Sequence, residues 1–210
     1  MNRPLLAAVR IGGDAAAWEA LGFTVSAAGA IALANGAIDL APGSALVVDP
    51  AGSDVAVPDE VDGVRVVPGT AGPGAVHPNG AREIDHVVLV TDSLERTSSA
   101  VTEQLGLPQR RLREVGEGAT QVRQAFHRFA PAADGTAGCI VEIVESPRTQ
   151  GPTALFGLVV IVDDIEAVCA ELGPDLIGRP KPAVQPGRLI ATVRSSAGLG
   201  LPVALMSPDA

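Results

Sequence analysis

The chain has 210 residues, enough for one large domain or for one ordinary domain with a smaller partner. Its net charge of −9 argues against nucleic acid as a partner, because a phosphate backbone requires a basic stripe. No apolar run approaches the roughly 20 residues that span a bilayer. We therefore expect a soluble, cytoplasmic protein without membrane or nucleic-acid partners.

The first 50 residues predict a degenerate β-α-β-β-β unit. An apolar strand over 8–13 leads to Asp14, a residue typical of a helix N-cap, and a helix is predicted over 15–21. Short strands interrupted by glycine are predicted at 23–26, 31–34 and 38–40. Residues 51–83 are rich in Pro and Gly and predict a connector with one further strand at 64–67.

The middle of the chain predicts a clearer copy of the same unit. The apolar run 86–91 ends at Asp92, and the apolar residues of 94–105 are spaced for one buried helix face. Gly106 then favours the end of that helix. Three strands are predicted to follow, at 111–115, 121–129 and 139–144.

The last part of the chain repeats the pattern once more. A strand over 158–162 leads to Asp164, a helix is predicted over 165–172, and Gly173 ends it. The strands predicted after this helix are 183–184, 189–193 and 202–206. In all three copies an Asp lies six residues after the first position of the strand, which aligns Leu158 with His86. Such repetition indicates one supersecondary unit used three times.

Four short segments resemble the vicinal-oxygen-chelate superfamily, which includes glyoxalases, bleomycin-resistance proteins and extradiol dioxygenases. Residues 84–88 (IDHVV) resemble the opening strand of its β-α-β-β-β unit, and residues 140–143 (IVEI) resemble its closing strand. Residues 123–126 (RQAF) and 185–188 (QPGR) are similar to segments of actinobacterial glyoxalase-like proteins.

The resemblance implies an α+β fold made of repeated β-α-β-β-β units. Two units, 84–146 and 155–207, would form a glyoxalase-like domain over 84–208, with a curved mixed sheet around a cleft. The degenerate unit at the N-terminus would be additional, and its apolar surface has to be covered. We expect it to pack on the main domain or to pair with its counterpart in a homodimer.

The resemblance also implies a divalent-metal site. Metal-dependent members place a His on the first strand of a unit and a Glu on the last, a ligand set that suits Zn, Mn, Fe or Ni. The matching residues are His86 and Glu142 in the middle unit, and we expect them to lie within about 5 Å of each other. In the last unit, Leu158 and Ala204 stand at these positions, and neither can bind a metal.

Other residues offer partial replacements for the missing ligands. His127 would complete a set of two His and one carboxylate, and the first unit has Ala8 and Asp39 at comparable places. Alternatively, His86 and His127 are polar residues that line a cleft without metal. Glu142 would then pair with an Arg, for which the candidates are Arg123, Arg188 and Arg194.

Two functions therefore remain open. In the first, the chain is a binding module or metal-free enzyme that holds a small organic molecule, as bleomycin-resistance relatives hold a drug. In the second, it is a metal-dependent lyase, isomerase or dioxygenase. The apolar side chains of Leu158 and Ala204 favour the first function. The expected ligand-binding residues are His86, Gln124, His127, Glu142 and Arg188.

Overall fold

The structure, a computed structural model, describes residues 2–117 and 120–209 and contains two mixed β-sheets with helices. The strands of the smaller sheet are β1 (Leu5–Arg10), β2 (Ala30–Leu33), β3 (Gly36–Asp39), β4 (Ala45–Asp49), β5 (Glu60–Val61) and β6 (Val64–Pro68). The strands of the larger sheet are β7 (Ala81–Thr91), β8 (Arg111–Val115), β9 (Val122–Arg128), β10 (Ile140–Glu145), β11 (Ala154–Val162), β12 (Lys181–Pro182), β13 (Leu189–Thr192) and β14 (Val203–Met206). The α-helices are α1 (Ala15–Glu19), α2 (Leu94–Leu105) and α3 (Ile165–Leu172).

The larger sheet has the strand order β12-β13-β14-β11-β7-β10-β9-β8. Its two central strands, β7 and β11, are antiparallel, and each opens a β-α-β-β-β unit. The last strand of each unit returns parallel to the first, as β10 does to β7 and β14 to β11. This arrangement confirms the predicted α+β fold with repeated units in a mixed sheet.

The starts of α2 and α3 show how the two units align. Ser93 caps α2 by accepting a hydrogen bond from the amide of Arg96, and Asp164 caps α3 by accepting from the amides of its first turn. Ser93 and Asp164 are therefore equivalent, whereas the sequence comparison aligned Asp92 with Asp164. This difference moves the alignment of the two opening strands by one residue, so that His86 matches Gly157 rather than Leu158.

The smaller sheet is a reduced copy of the larger one. Its order, β2-β3-β1-β4-β6-β5, corresponds to the six inner strands of the larger sheet, with β1 antiparallel to β4 at the centre. The strand predicted at 23–26 is absent there, and the predicted connector instead contains the hairpin of β5 and β6. The sequence pattern did not indicate β4, because all five of its residues are buried and no polar residue alternates with the apolar ones.

The two sheets share one hydrophobic core. The larger sheet buries Val87 and Leu89 on its helical face, and the smaller sheet contributes Leu6, Val9 and Ile38 to the same cluster. Helix α2 packs on β9 and β10 and also contacts β5. The N-terminal region thus packs on the main domain of its own chain. Among the described residues, no helix is long and apolar enough to cross a bilayer.

A polar cluster joins the smaller sheet to α2. Asp62, in the turn between β5 and β6, accepts hydrogen bonds through Oδ2 from the hydroxyls of Thr97 (2.5 Å) and Thr153 (2.6 Å). Its Oδ1 atom accepts from Nε of Arg96 at 2.7 Å. These hydrogen bonds lower the pKa of Asp62 below its usual value, although burial acts in the opposite direction.

Candidate functional site

The face of the larger sheet opposite the helices forms a cleft of about 1020 Å³. The strand register decides which side chains reach it, because successive residues of a strand point to opposite faces. Ile140 of β10 lies beside His86 of β7, and Glu142 lies beside Phe126 of β9. His86, Glu142 and Gln124 thus share the floor of the cleft.

A β-bulge brings Asp85 next to His86. The pairing of β7 with β11 passes from His86–Val159 to Ile84–Val160, so Asp85 is the extra residue. Its Oδ2 atom lies 2.6 Å from Nδ1 of His86, and its Oδ1 atom accepts a hydrogen bond from Arg188 at 2.8 Å. Burial raises the pKa of Asp85, but the bonds and charges of His86 and Arg188 outweigh it and bring the pKa below its usual value.

A row of polar side chains in close contact continues from His86 across the cleft floor. Nε2 of His86 lies 3.3 Å from Oε2 of Glu142, and both side chains are largely buried. Gln124 donates to Oε1 of Glu142 at 2.5 Å and accepts from Arg113 at 3.1 Å. Each polar group of the row therefore has a defined partner, and the row is held in one geometry.

Two of the expected ligand-binding residues hold their polar groups away from the cleft, although His127 is among the residues that border it. Arg188 is 6% exposed and lies behind Asp85, where its Nε atom donates to the carbonyl of Ser207, so it acts on the cleft through Asp85. The His127 ring lies on the helical face, with Nδ1 2.6 Å from the carbonyl of Leu107 and Nε2 2.9 Å from the hydroxyl of Ser98. Burial lowers the pKa of His127, although its bond to Leu107 acts in the opposite direction.

One side of the cleft is strongly basic. Arg3, Arg110, Arg111, Arg113 and Arg128 form this basic wall beside β8 and β9. Lys181 on β12, at the opposite edge of the sheet, brings the basic residues that line the cleft to six of the 15 in the chain. Within 2–117 and 120–209, none of the six forms an ion pair with a carboxylate, whereas Arg10, Arg82, Arg96, Arg123 and Arg188 all do. Glu142 is the single acidic residue among those that line the cleft in the described ranges.

The other side of the cleft is apolar. Val159, Ile161, Ala204 and Met206 form a small cluster of buried residues on β11 and β14, separate from the main core. Ile190 of β13 packs against this cluster and also lines the cleft. The site therefore combines a basic wall, an apolar wall and a polar floor.

Solved structures of other proteins share the fold of this chain. The chain superposes on a variant of 4-hydroxymandelate synthase from Streptomyces coelicolor with 15% identity and a TM-score of 0.59. The superposition covers 99% of this chain and 93% of the synthase chain. Over 65% of this chain and 94% of the other, the protein superposes on methylmalonyl-CoA epimerase from Mycobacterium tuberculosis, with 14% identity and a TM-score of 0.52. The chain has the vicinal-oxygen-chelate fold. No protein-family model matches it, and no curated protein matches it in sequence.

The metal site implied by the sequence resemblance would have its second half on β11 and β14, where both positions lack a donor atom. Gly157 matches His86, and a Cβ atom at Gly157 would lie only 2.8 Å from the carbonyl of Pro202. Leu158, the match expected from the sequence, faces the helical core instead. Ala204 does match Glu142, since it pairs with Val159 as Glu142 pairs with Val88.

The remaining donors do not form a metal site. Asp39 lies in the smaller sheet, where it pairs with Arg10 at 2.7 Å. His127 cannot complete a set of two His and one carboxylate, because it faces the other side of β9. In the part of the chain that the structure describes, no group of three or more His, Cys, Asp or Glu residues could hold an ion. His86 and Glu142 alone, beside six cationic side chains, do not fit a resident divalent cation.

Sequence reasoning missed Asp85 and the basic wall of the cleft. Asp85 was part of the quoted strand motif, but the bulge that turns it toward His86 has no sequence signal. A signal did exist for part of the basic wall, because Arg111 and Arg113 are two residues apart on one predicted strand and share a face. Arg3 reaches the cleft from the other half of the chain, which no local pattern could indicate.

Proposed function

We propose that the protein binds a small organic anion in the cleft of its larger sheet and that it does so without a resident metal ion. The observation that carries this proposal is the unpaired basic wall. A protein with a net charge of −9 concentrates six of its 15 basic residues in one cleft. Like charges held together without counter-charges repel one another, and an anionic ligand would relieve this repulsion.

The rest of the cleft fits an organic rather than an inorganic anion. Ile190, Met206 and the exposed Val184 line the cleft and offer apolar surface for a hydrocarbon or ring portion. His86 and Gln124 supply polar groups at the floor for a carbonyl or hydroxyl group of the ligand. Glu142 is one carboxylate against six cationic side chains, so the lining keeps a net positive charge toward an anion.

The floor also brings an imidazole and a carboxylate together, the groups that general acid–base catalysis uses most. Asp85 holds Nδ1 of His86, and Nε2 on the other side of the ring lies 3.3 Å from Oε2 of Glu142. A ligand atom that took the place of this contact would meet an imidazole and a carboxylate together. A lyase, isomerase or dioxygenase that depends on Zn, Mn, Fe or Ni would need further donors, so the proposal includes no step through a metal.

Binding of anilinonaphthalene sulfonate, an apolar aromatic anion, tests the proposal. We expect saturable fluorescence enhancement with the folded full-length chain. Arg111→Gln should weaken binding several-fold, since its side chain faces the cleft. Arg65→Gln is the matched control, because Arg65 is exposed on β6 and lies outside the cleft. Equal affinities of the two variants, or no saturable binding, would overturn the proposal.

A metal assay forms the second arm of the test. Protein purified without chelators should contain well under one equivalent of any divalent metal by plasma mass spectrometry. Anilinonaphthalene sulfonate should bind with the same affinity before and after treatment with a chelator. Stoichiometric metal that is lost in the variant His86→Ala would replace this proposal with the metalloenzyme alternative.

A further inference from the structure

Within the basic wall, three guanidinium groups lie together at one end of the cleft. Arg3 precedes β1, Arg110 precedes β8, and Arg128 ends β9. Arg3 bonds to the carbonyl of Arg128, and the amide of Arg110 bonds to Phe126, two residues earlier on the same strand. Partial burial, and then the charges of Arg110 and Arg128, lower the pKa of Arg3. In the ranges that the structure describes, none of the three has a carboxylate partner, so this end of the cleft has the greatest need for a counter-charge.

Backbone contacts fix Arg3 in this position. Its NH1 atom donates to the carbonyl oxygens of Arg128 at 2.9 Å and Phe129 at 3.1 Å. The next residue, Pro4, accepts a hydrogen bond from the amide of Ala130 at 2.9 Å. The segment before β1 is therefore attached to the end of β9. The remaining guanidinium nitrogens of Arg3 are left to bind a ligand, since only NH1 makes these contacts.

We propose that Arg3, Arg110 and Arg128 form a subsite for a phosphoryl group, a tetrahedral dianion carried by the ligand or present as free phosphate. This inference rests on the proposed function and names the chemical class of the anion. A guanidinium group presents several N–H donors in a plane and binds phosphoryl oxygens in pairs. Three such groups match a dianion with three terminal oxygens better than a carboxylate with one charge and two oxygens.

The proposal also assigns a role to the N-terminal region. Arg3 belongs to the half of the chain that forms the smaller sheet, whereas the cleft belongs to the larger sheet. The smaller sheet thus holds the segment that completes the ligand site of its neighbour. A protein that consisted of the two β-α-β-β-β units of the larger sheet alone would lack one of the three guanidinium groups.

Isothermal titration calorimetry on the full-length protein tests the subsite with three probes: phenyl phosphate, inorganic phosphate and benzoate. We expect phenyl phosphate to bind at least about tenfold more tightly than benzoate. Arg3→Gln and Arg110→Gln should each reduce that ratio of affinities severalfold. Arg65→Gln should leave the ratio unchanged. Arg110 is exposed, and its side chain makes no hydrogen bond within the described residues, so Arg110→Gln tests the subsite even if Arg3→Gln disturbs folding.

The outcomes separate this inference from the proposed function. If phenyl phosphate binds no more tightly than benzoate, or if both variants keep the native ratio, the phosphoryl subsite is wrong while anion binding stands. If none of the three probes binds, both proposals fail. Inorganic phosphate that binds as tightly as phenyl phosphate would support the subsite and identify free phosphate as a sufficient ligand. Weak binding of inorganic phosphate beside tight binding of phenyl phosphate would support a phosphorylated organic molecule.

Discussion

The substitution Asp62→Asn tests how the smaller sheet is attached to α2. Asp62 has a φ angle of +48°, a conformation that Asn adopts readily, so the backbone should not change. The variant keeps two hydrogen bonds from Thr97 and Thr153 but makes them neutral. It also loses the bond from Arg96, because its amide nitrogen would face the guanidinium group, although this half-exposed ion pair adds little. A hydrogen bond to a charged group contributes about 1 kcal/mol more than a neutral one, so the two together should cost about 2 kcal/mol.

The pH dependence of this loss follows from the lowered pKa of Asp62. The ionised carboxylate stabilises the fold fully at a pH above the pKa of Asp62 in the unfolded chain, about 3.9. The stabilisation disappears as the pH falls through the pKa of Asp62 in the folded protein. The native protein and Asp62→Asn should therefore differ most near pH 7 and converge at acidic pH.

Urea unfolding of both proteins near pH 7 and pH 3 measures the effect. Asp59→Asn is the matched control, because Asp59 is exposed nearby and its side chain makes no hydrogen bond or ion pair within the described ranges. We expect the control to unfold like the native protein at both pH values. A loss below about 0.5 kcal/mol for Asp62→Asn at pH 7, or a loss at pH 3 as large as the loss at pH 7, would refute the reasoning.

Three further substitutions test the cleft and its surroundings. Asp85→Asn leaves buried Arg188 with only the exposed carboxylate of Asp209, 3.4 Å away, and should lower the free energy of unfolding by about 3 kcal/mol. Adding Arg188→Met should recover most of this loss in urea unfolding. His127→Leu should lower the free energy of unfolding by about 2 kcal/mol and leave the affinity for phenyl phosphate unchanged. Weaker binding by this variant would mean that the His127 ring contributes to the ligand site. Gly157→Ala should lower the Tm by several degrees, since its Cβ atom would meet a carbonyl oxygen at 2.8 Å, and an unchanged Tm would contradict that close approach.

The sequence predicted helices α2 and α3 at their observed bounds, because apolar spacing, a capping residue and a final glycine all agree in each. It misaligned the two units by one residue because Asp92 and Ser93 are both good N-caps and only the structure shows which of them caps α2. That single residue changed the match of His86 from Gly157 to Leu158. In a strand, a shift of one residue also exchanges the two faces.

The candidate site was harder to predict than the fold. The strand pattern gives the alternation of β9 but not which alternate face meets the helices, so Gln124 and His127 were both assigned to the cleft. Arg3, Arg110 and Arg128 are more than 100 residues apart at the extremes, and only the packing of the N-terminal segment on β9 brings them together.

Each wall of the cleft includes an edge strand of the larger sheet, β8 on the basic side and β12 on the apolar side, and each of these strands pairs with one neighbour only. Edge strands and their loops usually open at a lower free energy than the centre of a sheet. Amide hydrogens of β8 should then exchange with solvent faster than those of β7 and β11. A bound anion that bridges Arg111 or Arg113 to the floor would tie the edge strand to the centre. The empty cleft would thus be built from the most mobile part of the sheet, and occupancy would be visible as slower exchange along β8.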